Sequence, residues 1–138
     1  MLVWPERYVL ASLPVDRLPE AASLAGSSRG AFAALVVERD EVSLTLSEGS
    51  WRAARVAGRS AGPYRVLTID VDLDLDLCGF LAPLAALLAD AGVPIVPQCA
   101  FRKDHLLVRD EDLGRATAVL ERWIGSCARA AGGSASNG

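Results

Sequence analysis

The sequence predicts an α+β fold in which helices cover one face of an antiparallel sheet. The main observation is an order of elements, strand–helix–strand–strand, that occurs twice, at roughly residues 7–46 and 64–109. In each copy the last two strands are apolar runs joined by a short charged turn, which is typical of a hairpin. A repeated unit of this kind buries its helices against one side of a sheet.

The first half of the chain contains apolar or alternating runs that are separated by polar turns. Gly26 ends the first helical pattern, and the four charged residues 38–41 join two strands. In chain order we predict a strand at Arg7–Leu13, a helix at Asp16–Gly26, a hairpin of Ala31–Val37 and Val42–Leu46, a further strand-like segment at Trp51–Val56 and a linker at Ala57–Pro63.

The second half repeats the pattern with clearer boundaries. Gly92 and Pro94 end its first helix, and Asp110 is placed to cap its second. In chain order we predict a strand at Tyr64–Val71, a helix at Phe80–Ala91, a hairpin of Ile95–Phe101 and His105–Arg109, and a last helix with a buried stripe of Leu113, Ala116, Thr117, Leu120, Trp123 and Ile124.

Composition and charge exclude several classes of protein. The chain has 138 residues and a net charge of −3, without a cluster of basic residues, so it lacks the basic face that nucleic acid requires. The longest apolar run, Leu77–Val96, contains a charge, two glycines and two prolines, so we expect no membrane span. The first residues do not resemble a signal peptide, and three cysteines without CxxC spacing predict reduced thiols and a cytoplasmic location.

Four aspartates, Asp70, Asp72, Asp74 and Asp76, alternate with apolar residues just before a helix start. Aspartate is a poor strand former, so we expect the strand to end near Val71 and the run to lie in a loop. Near a helix N-terminus each carboxylate is stabilised by free amide hydrogens, by about 0.3–1 kcal/mol. The run is therefore interpreted first as solvated aspartates that cap the helix.

Two chemical alternatives remain open for this part of the chain. A calcium site would use the Asp70–Asp76 run, although the run lacks the glycine and the distal glutamate of an EF-hand loop. A catalytic pair would require Cys78 or Cys99 beside His105. Cys99 lies in an apolar strand, where a thiol usually contributes to packing, and His105 fits a partly buried strand position better than a base.

A site for a small zwitterion fits the residues between the aspartates and the helix. Gly79 would allow a ligand to approach the backbone closely, and the amides of Cys78, Gly79 and Phe80 would suit a carboxylate. The ligand's amino group would find acceptors among the aspartates or the carbonyls at the strand end.

The segment Leu73–Leu120, LDLDLCGFLAPLAALLADAGVPIVPQCAFRKDHLLVRDEDLGRATAVL, resembles the ACT domains of the CASTOR type, which are related to the regulatory ACT domains of aspartate kinases. The shared pattern is an aspartate-bearing loop, a glycine, an apolar helix, a strand, a turn with an aspartate, Leu-Leu-Val and an acidic cap before a last helix. The resemblance implies two ferredoxin-like βαββαβ units packed side by side. These are a degenerate unit at residues 1–60 and an ACT domain at residues 61–125, followed by a tail at residues 126–138 whose small polar residues predict disorder.

In the arginine sensor of this family, the amino acid lies between two ACT units, where the glycine loop holds its α-carboxylate and α-amino groups and the hairpin aspartate faces its side chain. The resemblance implies a non-catalytic regulatory module that binds a free amino acid or similar zwitterion. We also expect no cofactor and no bound metal, and a second copy of the chain as partner in a homodimer. The alternative is an assembly module without a ligand, because open sheet edges often pair with another copy. Carried over to matching positions, the ligand-binding residues are Asp74, Cys78, Gly79, Phe80, Phe101 and Asp104.

Overall fold

The fold is seen in a computed structural model that describes residues 1–69 and 81–133. Its described strands are β1 (Leu2–Val3), β2 (Tyr8–Leu13), β3 (Ala34–Val37), β4 (Val42–Ser47), β5 (Arg59–Ile69), β6 (Ile95–Cys99) and β7 (Asp104–Arg109). They form one antiparallel sheet in the order β3-β4-β2-β5-β7-β6, with β1 paired to β5. The predicted α+β class with an antiparallel sheet is confirmed.

Four helices accompany these strands in the described part of the chain. They are α1 (Leu18–Gly26), α2 (Glu48–Ala54), α3 (Leu81–Asp90) and α4 (Leu113–Gly133). Short 3-10 turns at Val15–Arg17 and Asp110–Asp112 lead into α1 and α4. The predicted arrangement as two units stays a prediction.

Strand β5 is the centre of the sheet. Its first part pairs with β2 and its last part with β1, while β7 pairs along the opposite side from Tyr64 to Ile69. The predicted linker at Ala57–Pro63 is therefore wrong from Arg59 onwards. The residues there have low strand propensity, but their backbone groups pair with β2, and such pairing overrides propensity.

The strand predicted at Trp51–Val56 is also wrong, because most of this segment belongs to α2. Ser47 caps the helix by accepting a hydrogen bond from the Ser50 amide at 3.3 Å, and Glu48 pairs with Arg52 at 2.7 Å one turn later. Alternating residues over so short a window fit a helical turn as well as a strand.

Two further boundaries differ from expectation. Asp110 begins a 3-10 turn, and its carboxylate lies 3.1 Å from the Arg7 guanidinium and 3.5 Å from that of Arg65, instead of capping α4. Helix α4 continues to Gly133 and so extends into the stretch predicted as a disordered tail, whose last residues, 134–138, lie outside the described part.

One face of the sheet is covered by helices. Near β5 and β7, Leu84 and Leu88 of α3 and Ala116 and Leu120 of α4 are fully buried. Near β2 and β4, Ala21 of α1 is fully buried in a second cluster. The strand residues in these two clusters are Leu67, Ile69, Leu106 and Val108 in the first, and Ala11, Leu13, Val42, Leu44 and Leu46 in the second.

The opposite face curls around a small core of its own. In the strand order β4 and β6 are four positions apart, which would place them about 19 Å apart in a flat sheet. The side chains of Thr45 and Gln98 from these two strands nevertheless form a hydrogen bond, at 2.7 Å from Nε2 to Oγ1. The ring of Phe32, which precedes β3, fills the space inside this curve together with Tyr8 and Leu107.

Candidate functional site

The candidate site lies at the end of the sheet where β5 leads towards the predicted glycine loop. Ile69 is the last described residue of β5, and its partner on β7 is Asp104. Asp104 is in turn the partner of Cys99, the last residue of β6. The register therefore brings a half-buried carboxylate directly beside the strand end from which residues 70–80 continue.

Asp104 changes the chemistry of the neighbouring thiol. A hydrogen bond with Asp104 raises the pKa of Cys99, and burial and the negative charge of Asp104 add to this effect. Cys99 is exposed, so the expectation that this thiol contributes to core packing is wrong. Because a high pKa keeps the thiol protonated, Cys99 is not arranged as a nucleophile.

Phe101 lies at the tip of the turn between β6 and β7. The Ala100 amide donates to the Lys103 carbonyl at 3.0 Å and closes this turn. The Phe101 side chain points away from the core, since 76% of the residue is exposed. The structure thus places Phe101 and Asp104 in one hairpin, with the aromatic ring at the tip and the carboxylate at the base.

The other four predicted ligand-binding residues lie outside the described residues. Asp74, Cys78, Gly79 and Phe80 belong to residues 70–80, and so does the Asp70–Asp76 run for which a calcium site was considered. Within residues 1–69 and 81–133, no group of three or more His, Cys, Asp or Glu side chains is placed to hold a metal ion.

A buried polar chain runs behind Asp104 on the curled face. Trp4 Nε1 donates to Thr68 Oγ1 at 2.8 Å, and Thr68 Oγ1 lies 2.7 Å from Nδ1 of His105. Since the hydroxyl already accepts from Trp4, it can donate its own proton to Nδ1. Phe32 packs on the imidazole at 4.7 Å between ring centroids.

The imidazole of His105 is held neutral by this environment. Burial lowers its pKa, the charge of Asp104 partly opposes this, and Lys103 lowers it further. The residue is 9% exposed, so the predicted partly buried strand position is confirmed. A neutral, enclosed ring bonded to Thr68 supports the strand end structurally and is poorly placed to exchange protons with a substrate.

Sequence reasoning missed Thr68 and Trp4 as supports of this strand end. These two residues are 64 positions apart in the sequence and meet only because β1 and the residue after it lie along β5. The alternation of Val66, Thr68 and the neighbouring apolar residues could have indicated that Thr68 shares the face of Val66.

With this geometry in place, comparison with known proteins finds a similarity over part of the chain. Residues 59–122 match the family model of the ACT domain, which confirms the predicted ACT resemblance over this segment. No curated protein sequence matches the chain. In residues 1–69 and 81–133 there is no helix with the length and apolar character needed to cross a membrane.

Solved structures share the fold across most of the chain. A Vibrio cholerae protein of unknown function, described as a possible transport protein, has a TM-score of 0.72 at 22% identity, covering 86% of this chain and 84% of that one. An Agrobacterium tumefaciens protein has a TM-score of 0.70 at 22% identity, covering 87% and 84%. The regulatory subunit of aspartate kinase from Thermus flavus has a TM-score of 0.63 at 10% identity, covering 88% and 94%. At such identities the likeness is one of fold.

Proposed function

We propose that the protein is a non-catalytic regulatory module that binds a free amino acid or similar zwitterion in the cytoplasm. The observation that carries this proposal is the position of Asp104, paired with Ile69 at the strand end that leads into residues 70–80. The match of residues 59–122 to the ACT domain and the shared fold of an aspartate kinase regulatory subunit support a regulatory role.

The proposed binding mode divides the ligand between two parts of the site. The backbone amides of Cys78, Gly79 and Phe80 bind the α-carboxylate, because unpaired N–H groups before a helix favour an anion. Asp74 binds the α-amino group, and Asp104 and Phe101 of the hairpin face the ligand side chain. With this binding mode, the domain would belong to the CASTOR type of ACT domain.

A thermal-shift screen of the twenty amino acids tests the proposal. A ligand present at about 100 times its dissociation constant adds about 2.7 kcal/mol of stability, which raises the melting temperature of a chain of this size by about 5–11 °C. The absence of a shift with every amino acid at millimolar concentration would contradict the proposal.

Variants locate the binding site within the chain. We expect Asp104→Ala to reduce the ligand-induced shift and Gly79→Val to abolish it, because a side chain at position 79 blocks close approach to the backbone. Asp90→Asn is the matched control, since Asp90 is an exposed aspartate at the end of α3. A shift that is equal in Asp104→Ala and in the control would place the ligand elsewhere.

A second candidate function is assembly through an open sheet edge. The two strands at the ends of the described strand order, β3 and β6, differ in how well they suit such pairing. Edge strand β3 exposes two apolar side chains, with Val36 53% and Val37 52% exposed. Edge strand β6 carries Pro97, which lacks an N–H group and blocks pairing along that edge. A homodimer of this kind would form by antiparallel pairing of two β3 strands.

Light scattering after size exclusion tests this assembly. We expect a dimer for the unmodified chain and a monomer for Val37→Lys, because a charged lysine on an edge strand opposes pairing. Val15→Lys is the control, since Val15 is 41% exposed but lies in the turn before α1. A monomeric unmodified chain, or a dimer that survives Val37→Lys, would contradict edge pairing.

A further inference from the structure

A trough on the curled face lies at the opposite end of the sheet from Asp104. It is a cavity of about 340 Å³ in which the open face of three strands forms the floor. This volume is at the lower end of the range for small-molecule sites, about 300–1,000 Å³. The trough is defined by Leu10, Ser12, Glu41, Ser43, Arg59 and Ala61.

The register of three strands places the side chains of the trough side by side. Ser12 of β2 is the partner of Ser43 on β4 and of Arg59 on β5. Directly paired residues point to the same face, with Cβ atoms about 4.5–5.5 Å apart. Two residues further along the strands, the paired residues Leu10 and Ala61 lie on the same face, so apolar groups lie beside the polar ones.

Opposite charges flank Ser12 within this trough. The Ser12 hydroxyl donates to Glu41 Oε2 at 2.5 Å, which fixes the carboxylate on one side of the serine. Arg59 lies across the strand pair on the other side and is exposed. Arg59 makes no ion pair with another residue of the described ranges, so its guanidinium is available to an incoming carboxylate.

We infer that this trough is a second binding site, which takes the head group of a small zwitterion. The Arg59 guanidinium binds the ligand's carboxylate, which it suits because its N–H groups match two carboxylate oxygens. Glu41 accepts from the ligand's ammonium group, and Ser43 lies beside the bound head group. Leu10 and Ala61 contact a small apolar side chain. The site is separate from the Asp104 end and does not rest on the function proposed there.

Amide NMR spectra of the full chain, titrated with L-valine, test this inference. We expect saturable shifts at the Ser12, Ser43 and Ala61 amides at millimolar L-valine. N-acetylvaline lacks the ammonium charge and valinamide lacks the carboxylate, so neither should shift these amides in a saturable way. Equal binding of either blocked compound would overturn the assignment.

Two substitutions of exposed residues provide a second test of binding at the trough. Arg59→Gln and Glu41→Gln should each weaken L-valine binding at the trough by about tenfold or more, since each removes a charge-assisted hydrogen bond. Arg29→Gln, a change of an exposed loop arginine, should leave it unchanged. Absence of saturable shifts at the trough, or shifts that Arg59→Gln does not weaken, would refute the inference.

The same spectra separate this inference from the proposed regulatory site. Binding at the Asp104 end would shift the amides of Ile69 and Asp104, which belong to a different end of β5. Shifts there alone would refute the trough and support the regulatory site. Shifts at the trough alone would support the trough, and the screen of the twenty amino acids would then decide on the regulatory site.

Discussion

Replacing Phe32 by alanine should destabilise the fold more than replacing any exposed aromatic residue. Phe32 is 9% exposed, and its ring centroid lies 5.9 Å from that of Trp4, 6.1 Å from that of Tyr8 and 4.7 Å from that of His105. Its backbone amide also donates to the Tyr8 hydroxyl at 3.1 Å. The ring therefore closes the core inside the curled sheet.

The magnitude follows from the contacts that the substitution removes. Truncation of a buried phenylalanine costs about 3–5 kcal/mol, which includes the lost transfer free energy and the cavity that remains. Edge-on aromatic pairs such as those with Trp4 and Tyr8 contribute about 0.5–1.5 kcal/mol each to such a loss. A domain of ordinary stability has about 5–15 kcal/mol, so Phe32→Ala would remove a large share of it.

Urea unfolding, followed by tryptophan fluorescence, measures the change. Phe101→Ala is the matched control, because Phe101 is 76% exposed and its loss should stay within about 0.5 kcal/mol. Phe32→Leu, which retains most of the volume, should cost less than about 1.5 kcal/mol and keeps the protein folded if the alanine variant does not fold. A loss below about 1 kcal/mol for Phe32→Ala, or one equal to the control, would refute the closed core.

Three further predictions concern single sites. Burial lowers the pKa of His105 below its ordinary value of 6.5, so the unfolded state binds more protons just below that pH. The free energy of unfolding should therefore fall as the pH is lowered from neutral through 6.5. Urea unfolding of His105→Gln over a series of pH values should show a smaller fall, and an equal dependence on pH in the variant and the unmodified chain would contradict the prediction. Asp104→Ala should lower the pKa of Cys99 and speed its reaction with a disulfide reagent in a background without the other two cysteines, and an unchanged rate would contradict the hydrogen bond. Gly62→Ala should lower the free energy of unfolding by about 1–3 kcal/mol, because φ is +146° and a Cβ would lie 2.9 Å from a β2 carbonyl. Gly114→Ala, in the open first turn of α4, is the control and should cost nothing. Equal changes in melting temperature for the two variants would contradict this prediction.

The hairpins were predictable because their residues carry a local signal. Val42–Leu46 alternates and Leu106–Val108 is continuously apolar, and both patterns are typical of strands with one or two buried faces. The helix that ends before Gly92 was predictable for a similar reason, since glycine with positive φ, here +71°, ends helices at this position.

The errors fall where the structure depends on partners that are distant in sequence. Arg59–Ala61 has no strand pattern of its own and becomes a strand by pairing with Leu10–Ser12 of β2. The curvature that joins Thr45 to Gln98 depends on the twist of all the intervening strands, which no local window contains. Phe32 was assigned to a strand because it precedes an apolar run, although its role is to fill the core.

The candidate site could be predicted only in part for the same reason. Asp104 was predicted from a motif, and the structure adds its neighbours Ile69 and Cys99, which depend on register. The trough had no sequence signal, because Arg59 was assigned to a linker and Ser12 and Glu41 are common surface residues. Only the pairing of three strands brings these residues into one group.

The length of β5 places the two candidate sites far apart. Arg59 begins the strand and Ile69 ends it, and ten residue steps of about 3.3 Å separate them by at most about 33 Å, since the register shifts between Ala61 and Tyr64. Substitutions more than about 7–10 Å apart without shared partners have additive effects. A ligand shift that is lost in Arg59→Gln therefore belongs to the trough, and one that is lost in Asp104→Ala belongs to the opposite end. A single ligand whose binding required both residues would have to span the whole strand, which no free amino acid does.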